Sequence, residues 1–214
     1  MERHSRWFLL FVILSLLSIF FFPATSYAGQ SWMKYFRKDT LLNTYMRAYA
    51  VSGEKLYVGT YGDGMVIYTG DQTRNVNSKT SGSSPGANDG LISDNITTMC
   101  LDERNQRLWI GTIEGLCSCS LDATDWKRFT AKDGLANDVI RDIAIDASGL
   151  VWVGTPSGVS VYDGSGWTTY DTQSGLNENS VHSITVQGDA VWVASVGGSV
   201  SRFKDGAWKL FMRY

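Results

Sequence analysis

The chain has almost no histidine: His4 and His182 are the only two in 214 residues. It has no His-Glu-x-x-His, no Walker loop and no Cys-x-x-Cys-His, which excludes the usual zinc-protease, nucleotide and haem signatures. Charge of one sign is also lacking, with 19 basic against 21 acidic side chains and no basic cluster. Nucleic acid is therefore not an expected partner, because its binders concentrate lysine and arginine on one face. Cysteine is limited to Cys100, Cys117 and Cys119. The Cys-x-Cys pair has no histidine nearby to complete a metal site. From these absences no catalytic residue, no cofactor and no metal is expected.

One long apolar run is present, and it lies at the start. Arg3 and Arg6 precede Trp7 to Phe22, a run of 16 residues followed by Pro23 and by Ser26-Tyr27-Ala28. Basic start, apolar centre and small residues before Gly29 form the pattern of a secretory signal peptide. The run is shorter than the roughly 20 residues of a spanning helix. Residues 1–28 are thus expected to be removed on export, leaving 29–214 in the periplasm or outside the cell with no membrane attachment. Removing Glu2, Arg3 and Arg6 leaves 17 basic and 20 acidic side chains, a net charge of −3.

The remainder is repetitive. Gly134-Leu135 has counterparts 44 residues earlier at Gly90-Leu91 and 41 later at Gly175-Leu176. Trp152-Val-Gly-Thr matches Trp109-Ile-Gly-Thr, Trp192-Val-Ala-Ser and Tyr57-Val-Gly-Thr, while Trp167 matches Trp126 and Trp208. Each unit reads as four short runs of β-branched and aromatic residues separated by Asp, Ser and Gly turns. A four-strand unit of about 40–50 residues is the signature of a β-propeller blade. The expected fold is all-β, a propeller of about four four-stranded blades with repeats near 40–88, 89–133, 134–174 and 175–211. The repeated tryptophans are read as core. Asp102, Asp146 and Asp163 are read as turn caps.

Two details follow from laying the repeats on one another. Cys100 falls in a first strand and Cys117 with Cys119 in a third, about 9–10 Å apart across a sheet. That exceeds disulfide reach, so free buried thiols are expected. The fourth strands are Trp126–Phe129, Trp167–Tyr170 and Trp208–Phe211, with a further candidate at Trp32–Phe36. The first repeat shows none of its own, and Thr69–Asn88 reads as a flexible loop. This tally favours a ring closed within one chain, the N-terminal strand patching a blade. A homodimer paired through exposed blade edges is the alternative.

The pattern Gly-Leu-x-x-Asn, Asp-x-x-Gly-x-Val-Trp-Val-Gly-Thr, Gly-Val-Ser-x-Tyr-Asp-Gly, Trp-Thr-x-Tyr resembles the two-component regulator propeller repeat. The resemblance spans about residues 40–214 and is clearest in the third repeat. It implies a propeller in the bacterial envelope, since such propellers commonly form the extracytoplasmic sensor part of histidine kinases. Those kinases usually carry more repeats than the four seen here.

One polar constellation emerges from the repeats. Arg47, Thr97, Arg141 and His182 share an equivalent position just before the innermost strand, and Asp142 occupies the next. Equivalent positions in a propeller form a ring about the axis, so these residues are expected at the channel mouth. Arginine and histidine there suit a small anionic ligand, carboxylate or phosphate, or a carbohydrate. The leading expectation is an exported, non-catalytic propeller that binds such a ligand or an envelope protein, in sensing. Two others stand beside it: a propeller lyase or hydrolase acting on sugars or lactones, and a structural subunit of a larger assembly.

Overall fold

The computed structural model describes residues 45–82 and 90–213. The expected export signal and the strand expected at Trp32–Phe36 lie outside the described residues. The described residues form four antiparallel sheets of four strands each. Blade 1 is β1 (Tyr45–Ser52), β2 (Lys55–Tyr61), β3 (Met65–Thr69) and β4 (Gln72–Val76). Blade 2 is β5 (Ile96–Asp102), β6 (Arg107–Thr112), β7 (Leu116–Ser120) and β8 (Lys127–Phe129). Blade 3 is β9 (Asp142–Ile145), β10 (Val151–Thr155), β11 (Gly158–Tyr162) and β12 (Trp167–Tyr170). Blade 4 is β13 (Val181–Gln187), β14 (Ala190–Ser195), β15 (Ser199–Lys204) and β16 (Ala207–Arg213). Strand order follows chain order in every blade, so each is a meander of hairpins and the expected propeller blades are present.

The hairpins form where the turn chemistry is strongest. Asp146 Oδ1 accepts from the Ser148 and Leu150 amides, while its Oδ2 accepts from the Trp152 indole at 2.9 Å. One carboxylate thus closes the β9–β10 turn and fixes the aromatic that follows it. Gly149, at φ 89°, supplies the left-handed residue that this turn needs. Asp163 caps the β11–β12 turn through the Ser165 and Gly166 amides. These bonds pull its carboxyl down to about 2. Asp102 holds the Asn105 amide in the same way. All three aspartates serve as the turn caps that their positions suggested.

The cores lie between blades, not within them, because each sheet is apolar on both faces. One cluster joins blades 1 and 2, with Tyr57, Met65, Ile96, Leu108 and Ile110 among its members. A second joins blades 2 and 3 through Trp109, Leu116, Ile140 and Val153. A third joins blades 3 and 4 through Trp152, Val159, Val181 and Val193. The cysteines are free, and Cys117 and Cys119 are buried in the first cluster. Burial pushes both thiols up to about 12.

Two expectations need correction. Blade 1 does own a fourth strand, β4, inside the stretch that reads as a loop. Its sequence Gln-Thr-Arg-Asn-Val carries one apolar residue, Val76, and only that residue is buried. An outermost strand with a solvated face has no need of apolar alternation, so the sequence is silent there. The ring also does not return to its start among the described residues. Inner strands pack in the order β1, β5, β9, β13, with no comparable packing of β13 on β1. Exposure agrees with this: Tyr49 at the free side of blade 1 is 74% exposed, whereas Ile143, its equivalent in blade 3, is 6%.

Candidate functional site

The equivalent position that gathers Arg47, Thr97, Arg141 and His182 has a backbone feature behind it. The ladder between first and second strands slips at Met46/Ala48, Ile96/Thr98 and Val181/Ser183. Arg47, Thr97 and His182 are therefore the extra residues of β-bulges. In blade 3 the β9–β10 pairing ends at Asp142, and Arg141 stands just beyond it, donating its amide to the Gly154 carbonyl. A bulged residue is released from the pleat, and its side chain is re-aimed. No periodicity in the sequence marks this.

In blades 2 and 3 the side chain at this position runs along the ring, towards the next blade. Thr97 donates its hydroxyl to the Ile140 carbonyl at 2.7 Å. Arg141 donates from Nη1 to the Val181 carbonyl at 2.8 Å and to Ser180 Oγ at 3.0 Å. Ile140 and Val181 are themselves equivalent, each standing immediately before the bulge position of its blade. The two bonds are thus one contact made twice. Asp142 adds a second tie, its Oδ2 accepting from Ser183 Oγ at 2.8 Å and from the Ile184 amide at 2.7 Å. Each such bond to a charged group contributes about 1.5–3 kcal/mol.

Three of the five candidate residues, Thr97, Arg141 and Asp142, are therefore engaged in holding neighbouring blades together. The other two stand at the ends of the series. Arg47 is exposed and lies over the Tyr61 ring at 5.5 Å. His182 is exposed on β13. The structure places Arg47, Thr97, Arg141 and His182 at one inner-strand position and Asp142 at the next; Thr97, Arg141 and Asp142 are half-buried, while Arg47 and His182 are exposed.

A groove between blades 2 and 3 was not legible from the sequence. It encloses about 520 Å³ and is lined by Arg104, Arg107, Lys127, Tyr162 and Asp163, among others. Its residues run from Asp102 to Gly164, on strands and turns of both blades, so no local motif announces it. Its arginines are already engaged: Arg107 pairs with Asp125 at 2.6 Å, and Arg104 donates to the Ala147 carbonyl. Lys127 and Arg104 are its exposed cations.

Comparison with known proteins is consistent with this geometry. The two-component regulator propeller pattern matches residues 90–114 and 134–157, in each case from the entry Gly-Leu through the second strand of a blade. No curated protein matches the chain significantly. Among solved structures, the extracellular domain of the hybrid two-component system BT3049 from B. thetaiotaomicron superposes with a TM-score of 0.63 at 19% identity, over 79% of this chain and 23% of that one. The corresponding domain of BT4673 from the same organism gives 0.61 at 20% identity, over 79% and 22%. YCF48 bound to D1 peptide gives 0.54 at 13% identity, over 78% and 53%. At these identities the likeness is one of fold. The chain spans about a quarter of the length of the first two.

Proposed function

We propose, from the premise that the chain carries two-component regulator propeller repeats, that it is an exported binding module of the bacterial envelope that performs no chemistry of its own. The ligand is a small carboxylate or phosphate held at the bulged inner-strand positions. One observation carries this reading: Arg47 and His182 are exposed at bulges, where the backbone presents the side chain outside the pleat. A guanidinium there offers paired donors to an oxyanion. The groups that could act as nucleophiles are badly placed for it. Cys117 and Cys119 are buried thiols held far from ionisation. The recurrent turn aspartates are committed to backbone amides.

An export signal in residues 1–28 supports the envelope setting, as do the extracellular domains with which the fold is shared. The test is calorimetry on the exported chain with a panel of small carboxylates, phosphates, sugars and a peptide pool, the last because YCF48 holds a peptide on the same fold. Saturable binding of an anion, lost in the Arg47→Gln/His182→Gln double variant and kept in Lys127→Gln, is expected. Loss in Lys127→Gln instead moves the ligand to the groove between blades 2 and 3. No binding across the panel overturns the reading.

A further inference from the structure

The exposed apolar surface of this chain is not spread evenly. Tyr45, Met46, Tyr49, Val51 and Tyr61 lie on blade 1, and Val196, Leu210, Phe211 and Met212 on blade 4. Only Val139 is exposed elsewhere among the large hydrophobics of the described residues. Scattered exposed apolar side chains need no explanation, but concentration on the first and last blades does.

The repeat says what each face is built to meet. Every interior boundary sets an aromatic of the second strand, on the leading face of one blade, against the trailing face of the next. Trp109 stacks with Phe129 at 5.8 Å, and the pair continues onto Tyr162 and Trp167 of blade 3. Trp152 stacks with Tyr170 at 6.3 Å, and that pair continues onto Phe203 and Trp208 of blade 4. Blade 4 repeats the start of this arrangement, with Trp192 against Phe211 at 4.9 Å. No blade stands in front of it among the described residues. Blade 1 repeats the other half. Met46, Tyr49 and Val51 occupy the positions by which Ile140, Ile143 and Ile145 of blade 3 receive blade 2, and they are 49%, 74% and 49% exposed.

The contact at the centre of each boundary is also matched across these two faces. Gly59, Gly111 and Gly154 each leave room for a β-branched side chain of the next blade, namely Ile96, Ile140 and Val181, at 2.6 Å from where a Cβ would stand. Blade 4 has Ala194 in place of that glycine, and blade 1 has Met46 in place of the β-branched residue. Alanine fills the space that branching at Cβ would use, and unbranched methionine gives it up. Small and large have been exchanged together, as complementary packing requires.

The two faces do not meet among the described residues, where inner-strand packing runs from β1 to β13 and stops. We propose that two copies of this chain mate head to tail, blade 4 of each on blade 1 of the other, closing a single ring of eight blades. The contact is heterologous, but a two-fold rotation about the ring axis closes it, and two is the smallest number of copies that covers both faces. His182 of one copy then stands where Thr97 and Arg141 stand in the interior, beside the residue preceding Arg47 of the other. The candidate site is completed by the second copy.

The experiment is light scattering combined with cysteine cross-linking on the full exported chain. The mass expected is twice that of one chain. Tyr49→Asp lies outside every interior boundary, so this variant keeps the wild-type melting profile at low concentration and runs at the mass of one chain. Mild oxidation of the Met46→Cys/Ala194→Cys double variant gives a covalent species of two chains, and neither single variant does. The mass of a single chain for the wild type overturns the proposal, and so does a mass of three or more chains. Cross-linking by Ala194→Cys or Met46→Cys alone means like faces meet, and overturns it equally.

Discussion

Gly111 and Ile140 meet across the boundary of blades 2 and 3 so closely that a Cβ on the glycine would stand 2.6 Å from Ile140 Cγ2. The neighbour is a fully buried, β-branched side chain that cannot swing away. Gly111→Ala is therefore expected to lower stability by about 1–3 kcal/mol, the usual penalty of overpacking. Urea unfolding monitored by tryptophan fluorescence checks it. An unchanged midpoint would mean that the blades slide apart freely, and the packing described here would be wrong.

The tryptophans should separate by position. Trp152 is 2% exposed, packs on Tyr170, Phe203 and Trp208, and donates to Asp146. Trp152→Ala is expected to cost about 3–5 kcal/mol. Trp192→Ala leaves the three interior clusters intact, since the residue belongs to none of them. At a concentration where single chains prevail, its melting temperature should fall far less. Equal losses from the two variants would contradict the open end at blade 4.

Arg141 and Arg47 occupy equivalent positions yet should respond differently. Arg141→Gln removes two charge-assisted bonds to blade 4, with an expected loss of at least about 1.5–3 kcal/mol. Arg47→Gln removes only a cation–π contact at the surface, worth about 0.5–1 kcal/mol. The first variant should show a lower melting temperature, and the second chiefly weaker anion binding. Identical melting curves for both would remove the structural role assigned to Arg141.

What the sequence could say about this fold depended on which face a residue serves. Trp152, Gly154 and Leu135 recur because every boundary between blades needs the same aromatic, the same gap and the same anchor, so repetition in space became repetition along the chain. The aspartates of the hairpins were readable for the same reason. Strand β4 was not readable, since Gln72 to Asn75 face solvent and nothing constrains them to apolar alternation. The site was half readable. Alignment brought Arg47, Thr97, Arg141 and His182 to one position, but that Thr97 and Arg141 reach the next blade, and that Arg47, Thr97 and His182 sit at bulges, leaves no mark in residue type. Whether the first and last blades touch is a matter of ring curvature, which is set by small rotations at each boundary and not by any one residue.

The acid response follows from the turn caps. The amides of Ser165 and Gly166 hold the Asp163 carboxyl at about 2, below its ordinary 3.8. A lowered folded-state value contributes stability that is fully present above the unfolded value and is lost as pH falls through the folded one. The window is therefore about pH 4 down to pH 2. Asp163 is fully exposed, so solvent screening keeps the effect small. Melting temperatures recorded between pH 5 and 2 should fall less steeply for Asp163→Asn than for wild type. Parallel curves would show that the cap contributes nothing.

Native mass spectrometry of the chain taken from the periplasmic fraction shows whether the proposed export and ligand binding at the open ring positions occur together. A chain beginning at or near Gly29 is expected, carrying an additional small-molecule mass that is absent from the Arg47→Gln/His182→Gln double variant. A chain that keeps its first 28 residues, or an added mass that the double variant retains unchanged, would contradict the proposed function.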